Sequence, residues 1–279
     1  MTILTQSALV GLSSLGAGFL GALTGLGGGV VIVPMLTLAF GVDIRYAVGA
    51  SLVSVIATSS GAAAAYVKEG YTNVRIGMLL EIATTVGALV GASLATVMPG
   101  GAIAVIFGLV LLHSAYLSSR PPPDQDTSAA APDPLAQRLR LDSTVPVADG
   151  VRAYHVRRLP AGFALMGVAG VLSGLLGIGS GAVKVLAMDR AMRLPFKVST
   201  TTSNFMIGVT AAASAGVYLS RGYVDPGLAM PVMLGVLAGS ILGARVLVAA
   251  SSRWLRAIFA AVIVVLAVEM IYSGLAGRI

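Results

Sequence analysis

The chain has 279 residues, 57% of them hydrophobic and 10% charged, with a mean hydropathy of +0.93, and that balance excludes a water-soluble globular fold. It contains no cysteine and two histidines, His113 and His155, which excludes disulfides, iron–sulfur clusters and cysteine-bound zinc and leaves too few ligands for a histidine metal centre. The formal net charge of +7 lies between apolar segments, so it reads as membrane topology rather than as a surface for nucleic acid.

In chain order, the first apolar stretch covers about residues 5–41. It lacks a basic leader and runs straight into Gly25-Leu26-Gly27-Gly28-Gly29, so it is expected to be part of the fold and not a cleaved signal. A glycine run is a poor helix interior, each glycine costing about 1 kcal/mol relative to alanine. The stretch is therefore expected as two helical pieces around an unwound or sharply turned centre. Irregular backbone is not tolerated against lipid, so that centre must be buried or line a cavity. Full-length helices are predicted at about 46–67, 75–98 and 102–118, each near the ~20 residues that cross a bilayer. Residues 119–159 then change character. Pro121-Pro122-Pro123, Asp124, Asp126 and Pro132-Asp133-Pro134 predict a mobile linker, which closes on a basic cluster from Arg152 to Arg158 suited to the membrane surface. Beyond it the order recurs, with a broken stretch at about 160–192 and helices at about 198–219, 226–249 and 255–275.

The recurrence is a repeat in the sequence itself. Gly25–Gly29 aligns with Gly177-Ile178-Gly179-Ser180-Gly181, 152 positions later, and the same offset pairs Ser51 with Ser203, Tyr66 with Tyr218, Gly70-Tyr71 with Gly222-Tyr223, and Gly87 and Gly91 with Gly239 and Gly243. The chain divides into a first membrane repeat (1–118), a proline-rich linker (119–159) and a second membrane repeat (160–279). Charge then selects the topology. If each broken stretch crosses once, the two sides hold 10 and 7 Lys and Arg. If each returns to its starting side, as a re-entrant hairpin or as two short crossings, the second copy is inverted. Arg45, Arg221 and Arg278 then face one side, Lys184 lies inside, and the other fourteen of the 18 basic residues share the linker side. The second arrangement fits the positive-inside rule. The expected fold is all-α and integral to the membrane: two inverted-topology repeats, each a glycine-broken segment plus three transmembrane helices, with the linker cytoplasmic and both termini outside.

Where a helix restarts inside a membrane, its first N–H groups lack intrahelical partners and the positive end of its dipole faces the gap. Small side chains then let an anion reach the backbone, which makes Gly27, Gly28, Gly29, Gly179, Ser180 and Gly181 candidate substrate-binding residues. Close helix packing through small residues would give the same glycine pattern. Ser51, Ser203 and Asn204 open the next helix in each copy and could solvate an oxyanion with neutral donors, or cap and bridge helices. Lys184, an ionisable residue on the restarted segment, could attract an anion, pair with Asp189 or reach for the surface. Glu81, Glu269 and His113 are the candidates for carrying a coupling proton.

Enzyme-like patterns fail on context. Gly177–Ala182 matches a dinucleotide glycine pattern without a strand–helix–strand unit around it. Ser180 between glycines has no later histidine to act as its base, since both histidines precede it. No catalytic residue, metal or cofactor is assigned.

Thr24-Gly25-Leu26-Gly27-Gly28-Gly29, Val33-Pro34-Met35-Leu36, the tract Arg45–Leu52, and the weaker copy at Gly177–Gly181 with Ser203 resemble the TauE/SafE family of sulfite and organosulfonate exporters. The resemblance spans both membrane halves, with Ala50 where that pattern has threonine. It implies movement of a small sulfur anion such as sulfite, thiosulfate or a sulfonate across the cytoplasmic (inner) membrane. The expected function is thus a secondary transporter working by alternating access, with an anion channel and a non-transporting membrane scaffold as the competing classes. The partners expected are that anion and the lipid bilayer, with a coupling proton and a second copy of the chain as further candidates.

Overall fold

A computed structural model describes residues 3–24, 28–68, 70–118, 133–147, 150–249 and 252–279. The helices of the first half are α1 (Ile3–Thr24), α2 (Gly29–Pro34) running into a π-helical turn (Met35–Ala39), α3 (Ile44–Lys68), α4 (Val74–Val97) and α5 (Gly100–Ser118). The linker adds α6 (Pro134–Arg138) and an antiparallel hairpin of β1 (Ser143–Val147) and β2 (Gly150–Tyr154). The second half holds α7 (Leu159–Leu176), α8 (Gly181–Leu186) with its π turn (Ala187–Ala191), α9 (Phe196–Ser220), α10 (Pro226–Ala249) and α11 (Ser252–Leu275). Starts fall where the chain supplies caps: the Asn73 side chain accepts from Ile76 N–H, Asp133 from Leu135 N–H, and Asp225 from Gly227 N–H. Among the described residues, Val74–Val97, Leu159–Leu176 and Pro226–Gly243 are long and apolar enough to cross a membrane, and Gly29–Ala39, Ile44–Ser60, Gly100–Tyr116 and Ala261–Leu275 are shorter apolar helical stretches. The chain is a multi-pass, helical membrane protein.

The repeat is carried into the elements. α2 and α8, the two π turns, α3 and α9, and α4 and α10 have equal lengths and begin 152 positions apart, at Gly29 and Gly181, Met35 and Ala187, Ile44 and Phe196, and Val74 and Pro226. Packing crosses between the copies. α1 lies on α10 and α7 on α4, in both cases through glycines that bring backbones together. Gly87 faces the Gly167 carbonyl and Val171, and its counterpart Gly239 faces the Leu15 carbonyl and Phe19. Gly170 meets the backbone of Thr84 as Gly18 meets that of Val236. Small residues allow such approach where lipid supplies no hydrophobic drive between helices. The counterpart helices α3 and α9 run antiparallel, with Ser59 beside Gly208 and Gly49 beside Tyr223. So do α5 and α11, with Gly101 beside Gly274 and Gly108 beside Ala267.

These contacts define two ends of the bundle. At one, the Arg45 guanidinium lies 5.9 Å from the Tyr223 ring centroid and donates to the carbonyls of Ala95 (3.1 Å) and Met98 (2.5 Å), while Gly100 approaches Ile279. At the other, Lys197 Nζ lies 3.5 Å over Tyr71, Thr201 Oγ1 donates to the Tyr71 carbonyl, and Arg157 N–H donates to the Met192 carbonyl. α7 begins with Gly162 against Met192, reaches Gly177 beside Val48, and doubles back so that Ser180 Oγ meets the Ala169 carbonyl at 2.6 Å. In the first half Gly28 packs against Gly18 and Val236, and the chain emerges at Ile44 beside Arg45.

Residues 133–158 differ from the expected tether. Leu141, Val145, Tyr154 and Val156 are buried in one apolar cluster with Met166, Met188, Met192 and Leu194, so this part of the linker folds onto the end of the bundle. Asn73 fixes it, donating to the Leu141 carbonyl at 3.0 Å and the Tyr154 hydroxyl at 2.8 Å. The proline tract at 121–123 lies outside the described residues.

Candidate functional site

The second break has three left-handed positions among four consecutive residues: Gly177 and Gly179, both at φ +68, and Ser180 at φ +42, with Ile178 between the glycines. Glycine adopts that conformation without strain, and serine does not. Gly28, the repeat counterpart of Ser180, is right-handed at φ −63, so the two copies do not turn alike at this position. Gly27 lies outside the described residues.

The two breaks meet one another in the buried interior. Ser51 Oγ, on α3 of the first copy, donates to the Gly177 carbonyl of the second at 2.8 Å, and a Cβ on Gly29 would sit 2.8 Å from Ser51 Oγ and 3.1 Å from the Gly177 oxygen. Gly179 faces Val55 of the first copy and Ile207 of the second. A small crevice of about 10 Å³, room for about one water, is lined by Val30 of α2, by Val110 and Ser114 of α5, and by Ile178, Ser180, Gly181 and Val183 at the second break. Predicted residues from both copies thus share one place. Their hydroxyls are engaged with main-chain carbonyls of the second broken stretch: Ser51 with Gly177, Ser180 with Ala169 of α7, and Ser203 with Gly181 at a long 3.4 Å. Asn204 is partly exposed. Tyr218, which the sequence marked only as a repeat landmark, donates to the Gly174 carbonyl at 3.1 Å and so caps the end of α7 at the break.

Lys184 does not reach the surface. It is fully buried, and its Nζ lies 2.6 Å from Thr210 Oγ1 on α9. Thr210 Oγ1 is in turn 2.7 Å from Glu81 Oε1 on α4, which also accepts from Thr85 Oγ1 at 3.1 Å. Lys184 and Glu81, 103 positions apart in the chain, are therefore joined through one hydroxyl. Thr210 was not legible as a site residue: a lone threonine in an apolar helix bonds its own i−4 carbonyl, as Thr210 also does to Met206. Glu269 and His113 are exposed on α11 and α5 and take no part in this cluster. Among the described residues, no group of three or more His, Cys, Asp or Glu could hold a metal.

Comparison with known proteins adds an independent line. The family model described as "Sulfite exporter TauE/SafE" matches residues 10–270. The chain is 28% identical over 269 residues to "Probable membrane transporter protein YunE" of Bacillus subtilis (strain 168), covering 93% of this chain and 95% of that protein. It is 28% identical over 229 residues to "Probable membrane transporter protein YdhB" of the same organism, covering 82% and 83%. It is 26% identical over 283 residues to a "Probable membrane transporter protein" of Xylella fastidiosa (strain 9a5c), covering both chains in full. These relatives are named as transporters and not as enzymes. No solved structure matches the chain. With a family match running through both membrane halves and relatives aligned along most of their length, this chain belongs to the sulfite exporter TauE/SafE family of membrane proteins.

Proposed function

We propose that the protein is a secondary transporter that carries a small sulfur-containing anion, such as sulfite, thiosulfate or a sulfonate, across the cytoplasmic (inner) membrane by alternating access. The observation that carries this reading is the meeting of the two glycine breaks, where Ser51 of one copy holds the Gly177 carbonyl of the other and Val30 shares a crevice with Gly181. A site at the junction of two copies can be opened to either side by moving one copy against the other. Gly28, Gly29, Gly179, Ser180 and Gly181 form its cradle, Gly27 belongs with them by sequence, and Ser51, Ser203, Asn204 and Lys184 surround it. The copies are read as an inverted repeat. Antiparallel packing of α3 on α9 and of α5 on α11 supports this, as does the placing of Arg45 and Tyr223 at one end. The end that bears the linker, Lys197 and Arg157 is assigned to the cytoplasm by the positive-inside rule. Sulfur enters through the family.

The test is flux in proteoliposomes. Uptake of labelled sulfite that saturates, and that accelerates when unlabelled sulfite is loaded inside, is the expected result. Ohmic conductance without such acceleration would assign an anion channel. A folded protein with neither flux nor binding for sulfite, thiosulfate or a sulfonate would leave a scaffold.

A further inference from the structure

We propose that Lys184, Thr210 and Glu81 form a proton-linked anion site, in which a small monoanion takes the place of the Glu81 carboxylate at the Lys184 ammonium while Glu81 takes up one proton. The inference rests on the anion-transport reading above and names the coupling ion and the charge class of the substrate for that site.

The argument is one of charge balance in a dry place. Lys184 is 0% exposed and Glu81 9%. Thr210 Oγ1 stands between them, 2.6 Å from the ammonium and 2.7 Å from Oε1. A hydroxyl has one proton to give, so Thr210 accepts from Lys184 and donates to either Glu81 or the Met206 carbonyl, 3.0 Å away. Oε1 has a second donor in Thr85, whereas Oε2 is buried with no hydrogen-bond partner among the described residues. Half of this carboxylate is thus left open to receive a proton or a new donor. Removing one charge of a buried pair leaves the other uncompensated at high cost. Protonating Glu81 alone would strand the ammonium, and adding an anion alone would leave a net negative charge in the core. Both together restore neutrality. A dianion with one proton does not, so the site selects a single negative charge.

The site stands next to the crevice and is enclosed by α4, α7 and α9. Lys184 follows Val183, which lines the crevice between the breaks, and stands three positions after Gly181. α9 presents Thr210 to Glu81, α4 itself presents Thr84 and Thr85, and α7 lays Gly167 and Gly170 against the backbone of Ala83 and Thr84. Lys184 is the titratable group facing Glu81 among the described residues, with Asp189 and Arg190 further along the same restart. The proton comes from the side on which the anion enters and leaves with it, so no bond other than O–H is made or broken and net charge in the core is unchanged.

The test uses purified full-length protein in detergent with methanesulfonate, a monoanion that does not itself titrate near neutrality, and sulfite as a second probe. Binding is measured by calorimetry, and proton uptake by a pH electrode in weakly buffered solution. The expected result is about one proton taken up per methanesulfonate bound, with affinity falling roughly tenfold per pH unit once Glu81 of the free protein is ionised. Glu81→Gln should bind methanesulfonate at least as well without proton uptake and with a flat pH profile, and Lys184→Met should lose roughly tenfold or more in affinity. Binding without proton uptake in the wild type overturns the inference and leaves the transport reading intact. So does uptake retained in Glu81→Gln, or refusal of methanesulfonate by a protein that binds sulfite. Binding of neither probe overturns this inference, and it removes the transport reading as well where thiosulfate neither binds nor crosses and no flux of sulfite or a sulfonate is seen.

Discussion

Ser51 Oγ donates to the Gly177 carbonyl at 2.8 Å across 126 positions of sequence, and this bond ties α3, the first full-length helix after one break, to the end of α7 at the other. Ser51 is fully buried, so Ser51→Ala would leave the Gly177 oxygen short of a donor. A loss of about 1–2 kcal/mol is expected. Thermal unfolding in detergent would show it as a lowered midpoint, and an unchanged midpoint would mean that water replaces the hydroxyl.

The glycine contacts between helices predict a sharp contrast. A Cβ on Gly174 would run into the Ala88 carbonyl and come within 2.8 Å of Ala92 N, whereas one on Gly16 would meet nothing within 4 Å. Gly174→Ala is expected to destabilise by about 1–3 kcal/mol through forced separation of α4 and α7. Gly16→Ala should be neutral or slightly stabilising, by up to about 1 kcal/mol of helix propensity. Equal effects of the two in the same unfolding assay would contradict the close approach of these helices.

The Lys184–Thr210–Glu81 chain predicts a strongly non-additive pair. Lys184→Met alone leaves a buried carboxylate without its cation, and Glu81→Leu alone leaves the ammonium. Each is expected to cost about 3–5 kcal/mol, while the double substitution removes both charges and recovers most of that loss. Additive single and double effects on stability would mean that the two charges do not act on one another.

At the bundle's end, burial holds the Tyr154 phenol above its ordinary value of 10.0, with hydrogen bonds from Asn73 and Ser143 opposing the shift. A pKa raised by folding means the folded state keeps its proton more tightly than the unfolded chain. Docking of the hairpin is therefore fully supported below about 10 and weakens as the pH rises beyond it through the folded-state value. Amide hydrogen exchange over residues 143–154, corrected for intrinsic rates, should lose protection in that range. The same segment in Tyr154→Phe should start less protected, having lost the Asn73 bond, and show no such step. Protection constant through the tyrosine titration would contradict the docking described.

Much of the architecture was legible because it is written twice. Gly25–Gly29 and Gly177–Gly181 mark breaks in two apolar stretches, and the offset between them reappears in the starts of α3 and α9 and of α4 and α10. The fold of the linker over residues 133–158 was hidden because Asp133, Pro134, Asp142, Pro146 and scattered arginines interrupt its apolar residues, so no regular period shows. The side chains that decide its docking, Leu141, Val145, Tyr154 and Val156, are spaced one or a few at a time and share a buried cluster with Met166 of α7 and with Met188, Met192 and Leu194 of the π turn and the loop after it. Of the site, the glycines, Ser51, Ser203 and Lys184 stood out by repetition or by charge. Thr210 did not, since nothing beside it in sequence distinguishes it from Thr84 or Thr200.

By itself the sequence determined what depends on local chemistry and on counting. Apolar runs long enough to cross a bilayer, glycines too flexible to continue a helix, and basic residues lying between the apolar runs each follow from the residue's own side chain and its neighbours. Only the tertiary structure decided which of these elements meet. The placing of Gly177 on Ser51, of Tyr223 under Arg45 and of Glu81 within one hydroxyl of Lys184 depends on how α4, α7, α9 and the two breaks pack. The physical reason is that a buried hydrogen bond or charge pair is fixed by complementarity between segments far apart in the chain, and a linear pattern carries no record of that pairing.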